Sequence, residues 1–349
     1  MPRQRLSIPT APVPGAAHLA LVAIILGLSG CESLLGRFMV RPPNHGRSLA
    51  RVDRDEPLDL PDTVIDHRLR VEIDDPPASL SVWVIDPSNE TIAHGDDPES
   101  FAWIFVTPPE RTTRPPRGTV LLLHGYYDNI NQKRYLLWAR TLAAHGYRAV
   151  LIDQRGHGRS TGDWSTFGVV ESRDMRTALD ALDQAGLLVE PIGAVGVSFG
   201  AATAMRLADI DDRVRALIMI STFTSMRDVV PDYGTAIGFG VFSPAKFQRI
   251  VDHAGQHAGF DPDEADSLSR IARDDTPTLI IHGEEDRLIP IQHALRLYHA
   301  AGRDTVELIR VAEADHTSLG DTVVKPIRIP VLNWFDRHLS PRPRKFSSE

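Results

Sequence analysis

From Thr119 onward the sequence alternates short, wholly apolar runs with longer segments of helical period, and this alternation limits the fold more than any other feature. The runs are Val120–Leu123, Ala149–Ile152, Ile192–Val197, Ala216–Ile220, Thr278–Ile281 and Val306–Val311. A strand that is apolar at every position, rather than at every second one, has both faces covered, which is the condition of a parallel sheet. Helical period is read over Arg134–Ala144, Ser172–Gln184, Ala201–Ala208, Gln292–Ala301 and Val324–His338, so the chain is expected to build βαβ units and a doubly wound α/β sheet with helices on both faces.

Upstream, Arg68–Ile73, Leu80–Ile85 and Ala102–Val106 alternate or are rich in β-branched residues between Pro, Asp and Gly boundaries, and read as an antiparallel lead-in to the sheet. One connection breaks the rhythm. About fifty residues separate Ile220 from Thr278, far more than a crossover needs, which predicts a short cap insertion at about 222–270. Its Phe239, Val241, Phe242, Phe247 and Phe260 suit either an apolar lid or a small core of the cap's own.

The N-terminus has the layout of an export signal: Arg3 and Arg5 precede an apolar run from Leu19 to Leu28, followed by Ser29 and Gly30. The run is shorter than the ~20 apolar residues that span a bilayer. Cys31, the single cysteine of the chain, follows directly, so no intrachain disulfide and no cysteine-rich metal site can form. Leu28-Ser-Gly-Cys31 resembles the lipobox of bacterial lipoproteins, which implies lipidation of Cys31, export, and attachment to a membrane, the outer membrane facing the periplasm if the cell is Gram-negative. With a formal net charge of -8 and no strongly basic stretch, neither anionic lipid nor nucleic acid is an electrostatic partner, and acyl chains would have to supply the membrane affinity. The expected organisation is a signal segment over 1–30, a tether with little structure over 31–65, one α/β domain over 66–340 and a tail over 341–349.

The chemistry is carried by residues at the ends of the apolar runs. Gly196-Val-Ser198-Phe-Gly200 follows the run Ile192–Val197 and opens a small-residue helix, a context in which a serine sits on a sharp strand-to-helix turn and its neighbours must be glycine. A serine hydroxyl is a weak nucleophile until a histidine takes its proton, and that histidine needs a carboxylate to fix its tautomer. Asp286 follows the run at Thr278 and His316 the run at Val306, which places both at C-terminal strand ends in the chain order Ser, Asp, His. Glu284 and Glu285 rival Asp286 within the same loop, and Asp315, although adjacent to His316, is poorly placed to orient its ring.

A tetrahedral oxyanion needs amide donors, each worth roughly 3 kcal/mol when preorganised. Phe199 is expected to give one through its backbone N–H and Tyr126, in Leu121-Leu-Leu-His124-Gly125-Tyr126, the other. His124 reads as a loop-fixing residue, and Asp153-Gln-Arg155-Gly156-His157-Gly158-Arg-Ser160 reads as scaffold that braces neighbouring loops. His253 and His257, four apart, have metal-ligand spacing without a matching acid motif and read as a solvated helix face, so no metal and no cofactor is expected.

Together His124-Gly125, Asp153-x-Arg-Gly-His-Gly-x-Ser160, Gly196-x-Ser-x-Gly200, His282-Gly-x-x-Asp286 and Asp315-His316 resemble the α/β-hydrolase superfamily, in particular its serine-aminopeptidase-like and monoacylglycerol-lipase-like branch. The resemblance implies the α/β-hydrolase fold with an eight-stranded, mostly parallel sheet, no metal, and an acyl-enzyme mechanism on a small-molecule or lipid-like acyl substrate. Cleavage of a carboxylic ester by Ser198, with His316 as base and Asp286 orienting it, is the leading expectation; a peptidase or thioesterase of the same fold is the near alternative, and a catalytically silent, surface-tethered binding module the alternative of another class.

Overall fold

The computed structural model describes residues 31–43, 64–94, 103–106, 108, 110–321 and 325–339. The expected signal segment, the greater part of the expected tether and the tail therefore lie outside the described residues. Among the described residues there are ten strands: β1 His67–Ile73, β2 Ala78–Ile85, β3 Thr91–His94, β4 Trp103–Val106, β5 Thr119–Leu123, β6 Arg148–Ile152, β7 Ile192–Val197, β8 Val214–Ile220, β9 Thr278–Gly283 and β10 Val306–Val311. Eight of them form one sheet in the order β1-β2-β6-β5-β7-β8-β9-β10. The β1/β2 and β2/β6 pairs are antiparallel and every pair from β6 to β10 is parallel.

The wholly apolar runs are explained by what covers them. On one face Leu121, Leu123, Ala194 and Met219 pack with Met175, Leu179 and Leu182 of a helix Val169–Gln184 (α3), Ala201, Ala204 and Met205 of Phe199–Ile210 (α4), and Ala294 and Leu297 of Gln292–Ala301 (α8). On the other, Val120, Leu122, Val195 and Ile218 meet Leu136 and Leu142 of Lys133–Ala144 (α2) and Val331, Trp334 and Phe335 of Lys325–His338 (α10). A fully buried Leu or Phe contributes about 1.5–3 kcal/mol, so two such faces dominate the stability of the domain.

Two expectations are corrected. The described part of the run Ala102–Val106, β4, does not join the main sheet: it pairs antiparallel with β3, in the register Thr91↔Val106 to His94↔Trp103, as a separate two-stranded ribbon. The start of the tether is not unstructured either, because Glu32–Met39 forms a helix (α1). Its Leu35 and Met39, four apart and hence on one face, pack into the apolar cluster of the cap, and this partner makes up for the short length of the helix.

The cap comprises Met226–Gly234 (α5), a π-helical turn Thr235–Phe239, Pro244–Ala258 (α6) and Ser267–Ile271 (α7). Phe239 and Phe247 are buried within it, with Phe242 5.3 and 5.7 Å from them between ring centroids, whereas Val241 is 88% exposed. The phenylalanines thus form a cap core, which continues through Phe223, Met226, Val169 and Ala202 into the body of the domain.

The loop after β6 is tied to the lead-in hairpin by a buried ion pair. Arg155 holds Asp174 of α3 through two hydrogen bonds of 2.7 Å, and the same guanidinium donates to Pro76 O in the β1–β2 turn at 3.1 Å. Removing one partner strands a charge in the interior, so Asp174→Ala is expected to lower the free energy of unfolding in urea by about 3–5 kcal/mol.

Candidate active site

Ser198 stands where β7 turns into α4, with φ 52° and ψ −113°, a left-handed conformation that costs a non-glycine residue energy. Close approach on both sides explains the flanking glycines. A Cβ on Gly196 would lie 2.2 Å from Gly200 O, and a Cβ on Gly200 would lie 2.3 Å from Leu123 O. The turn is pinned by the Ser198 N–H, which donates to Ile220 O at 2.8 Å. Ser198 caps a 12-residue helix, so the positive end of the helix dipole lies beside its side chain.

Asp286 is buried, and its Oδ1 accepts from the N–H groups of Leu288 and Ile289 at 3.0 and 2.9 Å. Its Oδ2 lies 2.7 Å from His316 Nδ1. A carboxylate only accepts, so Nδ1 carries the hydrogen and Nε2 presents its lone pair. The rivals turn away: Glu284 is exposed and pairs with Arg310 at 2.6 Å, and Glu285 is exposed. Asp315 accepts from the N–H groups of Thr317 and Ser318 and so caps the helix His316–Asp321 (α9) instead of facing the His316 ring; those amides, Ser318 foremost, hold its carboxyl below the usual range.

The structure therefore brings Asp286 and His316 into direct contact and sets Ser198 on the same C-terminal sheet edge. Ser198 Oγ has no hydrogen-bond partner among the described residues, so the serine–histidine contact is the one element of the expected triad that is not closed. Catalytic hydrogen bonds often tighten only when substrate is present.

The two expected amide donors face no obligatory partner. Phe199 is the first residue of α4, whose first N–H groups have no intrahelical acceptor. Tyr126 is the second residue of a turn closed by Asp128 N–H donating to Gly125 O at 3.1 Å. Their rings pack edge to face, 5.6 Å between centroids, which brings the two residues side by side. Around them the loop is braced on every side. Gly125 N–H donates to Tyr135 Oη at 3.0 Å, and Tyr135 Oη–H donates to Asp128 Oδ2 at 2.7 Å.

His124 has the loop-fixing role. It is fully buried, its Nδ1 lies 2.8 Å from Gly125 O, and its Nε2 accepts from Gln154 N–H at 3.0 Å, which together assign the hydrogen to Nδ1. Asp153 accepts from the N–H groups of Ile130 and Arg159, both at 2.9 Å, and Ser160 donates to Asp153 O at 2.6 Å, so the 153–160 segment is scaffold in its geometry. His253 and His257 do not form a solvated pair: His257 Nε2 meets Ser33 of α1, at 2.9 Å to Oγ, and His253 meets Gln256.

One neighbour of the site carried no assigned role in the sequence. His282 is fully buried with its Nε2 2.8 Å from Ile289 O and 3.5 Å from Asp286 Oδ2, and burial holds its pKa below the usual value. The four-residue spacing of His282 and Asp286 was the available signal.

Comparison with known proteins bears on the fold. A family model described as alpha/beta hydrolase fold matches residues 118–269. The esterase Pf2001 of Pyrococcus furiosus superposes with a TM-score of 0.58 at 19% identity, covering 86% of this chain and 98% of that one. The chain has the α/β-hydrolase fold. Among curated relatives, Protein bem46 of Schizosaccharomyces pombe is 29% identical over 59% of this chain and 64% of its own length. A Bacillus subtilis protein named as the uncharacterized peptidase YuxL is 29% identical over 63% of this chain and 34% of its own length. The chain thus spans less than two thirds of either relative.

Burial drives the His124 pKa down to about 3, so this ring stays neutral in the folded α/β-hydrolase domain while the unfolded chain takes up a proton below about pH 6.5. The stability it confers is full above pH 6.5 and is lost as pH falls toward 3, at about 1.4 kcal/mol per pH unit. In His124→Asn, the loss of unfolding free energy between pH 6.5 and 4.5 is expected to shrink by about 2–3 kcal/mol, read from urea titrations at the two pH values.

Proposed function

We propose that this chain is a serine hydrolase that cleaves a carboxylic ester through an acyl-enzyme intermediate. The observation that carries the reading is the 2.7 Å contact between Asp286 and His316 on the same sheet edge as a serine held in a strained strand-to-helix turn. In this reading His316 Nε2 accepts the Ser198 hydroxyl proton as Oγ attacks the acyl carbon, then returns it to the leaving alcohol. Water, activated by the same nitrogen, releases the acid. Asp286 holds the tautomer and stabilises the imidazolium, and the Tyr126 and Phe199 N–H groups receive the oxyanion. The likeness to the P. furiosus esterase supports an ester; that to YuxL, named as an uncharacterized peptidase, favours a peptidase as the second reading.

The test is hydrolysis of p-nitrophenyl esters of increasing acyl length, beside labelling by a fluorophosphonate. Ser198→Ala is expected to lower kcat by at least about 10⁴-fold and to abolish labelling, and Asp286→Asn to lower kcat by about 10³–10⁴-fold. An enzyme that is labelled and cleaves aminoacyl p-nitroanilides in preference to esters would establish the second reading.

The same proposal places the enzyme outside the cytoplasm, attached to a membrane through lipid on Cys31. In cell fractionation Cys31→Ala is expected to move the chain from the membrane pellet to the soluble fraction.

A further inference from the structure

The residues that lead from Cys31 to the body of the domain pack across the site. α1 lies against α6 of the cap so closely that a Cβ on Gly36 would fall 2.7 Å from both Ala254 N and Ile250 O. Ser33 meets His257 at 2.9 Å, and Glu32 pairs with Arg249 at 2.9 Å. Beyond α1 the chain crosses from the cap to the loops around Ser198. Val40 is fully buried among Val169, Ala202 and Phe223, and its carbonyl accepts the Ser165 N–H at 2.8 Å. Pro42 sits against Gly156, where a Cβ would lie 2.2 Å from Pro42 Cγ.

Between these points the Tyr126 hydroxyl is shared by two carbonyls of the crossing segment, Met39 O at 2.7 Å and Arg41 O at 3.0 Å. The Tyr126 ring is held from the other side by His157, Phe167 and Phe199, at 5.4, 6.2 and 5.6 Å between centroids. A phenol fixed at its tip and along its ring leaves its own backbone little freedom. That backbone is the turn whose second N–H faces the oxyanion.

We propose that Tyr126 is a positioning residue through its side chain, and that the segment Cys31–Pro42 is the wall that holds it, so that the stretch bearing the membrane anchor is also part of the active site. The inference rests on the serine-hydrolase reading above and adds to it a part for a segment outside the α/β core. A donor displaced by a fraction of an ångström loses transition-state binding and leaves ground-state binding nearly unchanged.

The experiment compares the full chain in detergent with Tyr126→Phe, Gly36→Val and the double variant, reading kcat and KM on p-nitrophenyl butyrate, the rate of fluorophosphonate labelling, and the melting temperature. Tyr126→Phe keeps the ring and removes only the bond to the two carbonyls; Gly36→Val forces α1 away from the cap. Each single change is expected to lower kcat by about 10- to 100-fold with KM within about twofold. Labelling should slow in parallel, because the phosphonyl oxygen uses the same donors. The double variant should be no slower than Tyr126→Phe, since both changes release one contact.

Unchanged kcat in a folded Tyr126→Phe, a rise in KM alone, or losses that multiply in the double variant would overturn the inference while leaving the hydrolase reading intact. If Tyr126→Phe does not fold, Gly36→Val decides alone: reduced kcat with slowed labelling supports the inference, and unchanged kcat overturns it. A wild-type chain inert to both ester and fluorophosphonate removes the hydrolase reading and this inference with it.

Discussion

The approach of Gly200 to the end of β5 governs the geometry of everything that surrounds Ser198. Without a side chain at that position, the first turn of α4 rests against the carbonyl oxygens of Leu123 and His124, at distances of 2.3 and 2.6 Å from where a Cβ would stand. Two consequences follow from one contact. The helix can begin immediately after the strand, which forces Ser198 into a positive φ and lifts its side chain from the sheet edge. The same proximity brings Phe199, at the head of the helix, against Tyr126, in the loop that continues β5. Ser198 and the backbone amides of Phe199 and Tyr126 are thus set by backbone packing between two adjacent parallel strands, β5 and β7, and a single added methyl group would separate them.

Such packing needs the loops to be rigid, and buried polar groups supply the rigidity at a cost in desolvation. Gln154 shows how this is met. Its backbone N–H donates to His124 Nε2, its amide donates to His124 O at 2.8 Å, and its carbonyl accepts from Thr203 Oγ1 at 2.8 Å, so one residue joins the loops after β5 and β6 to α4. Each group in that chain finds a partner, which is the condition under which a polar network specifies a structure instead of destabilising it. The Asp153 carboxylate closes the neighbouring loop in the same manner.

The parallel core was legible because its signal is physical: strands covered on both faces have no polar positions to spend, and Val120–Leu123 or Ile192–Val197 admit few other readings. The candidate site was legible as a placement for the related reason that Ser198, Asp286 and His316 follow three of those apolar runs, and the structure sets each of them beyond the C-terminal end of its strand. What the sequence could not decide was set by contacts between distant segments. Asp286 is set apart from Glu284 and Glu285 by the turn that directs it inward onto the Leu288 and Ile289 amides, while Glu284 faces outward to Arg310 of β10, a partner distant in sequence. α1 escaped detection for a like reason: eight residues carry too little helical propensity to declare themselves, and the surface that stabilises them is α6, more than two hundred positions away. The ribbon of β3 and β4 is shorter still, four residues a strand, and nothing within such a run distinguishes pairing with the main sheet from pairing with each other.

The Asp286 carboxylate is the most fully occupied group of the site, and that occupancy explains why an aspartate and not a glutamate stands here. Oδ1 is consumed by two amides of its own loop, two and three residues ahead, a reach that matches the short side chain. This leaves Oδ2 alone for His316, so the carboxylate cannot rotate to follow the imidazole. His282, held by Ile289 O, closes the remaining approach to Oδ2 at 3.5 Å and keeps the group away from solvent. The carboxylate is therefore fixed by the loop after β9, and it orients the ring of His316, which stands beyond β10. Of Ser198, Asp286 and His316, the carboxylate and the imidazole are thus held against each other, while the serine hydroxyl has no hydrogen-bond partner among the described residues.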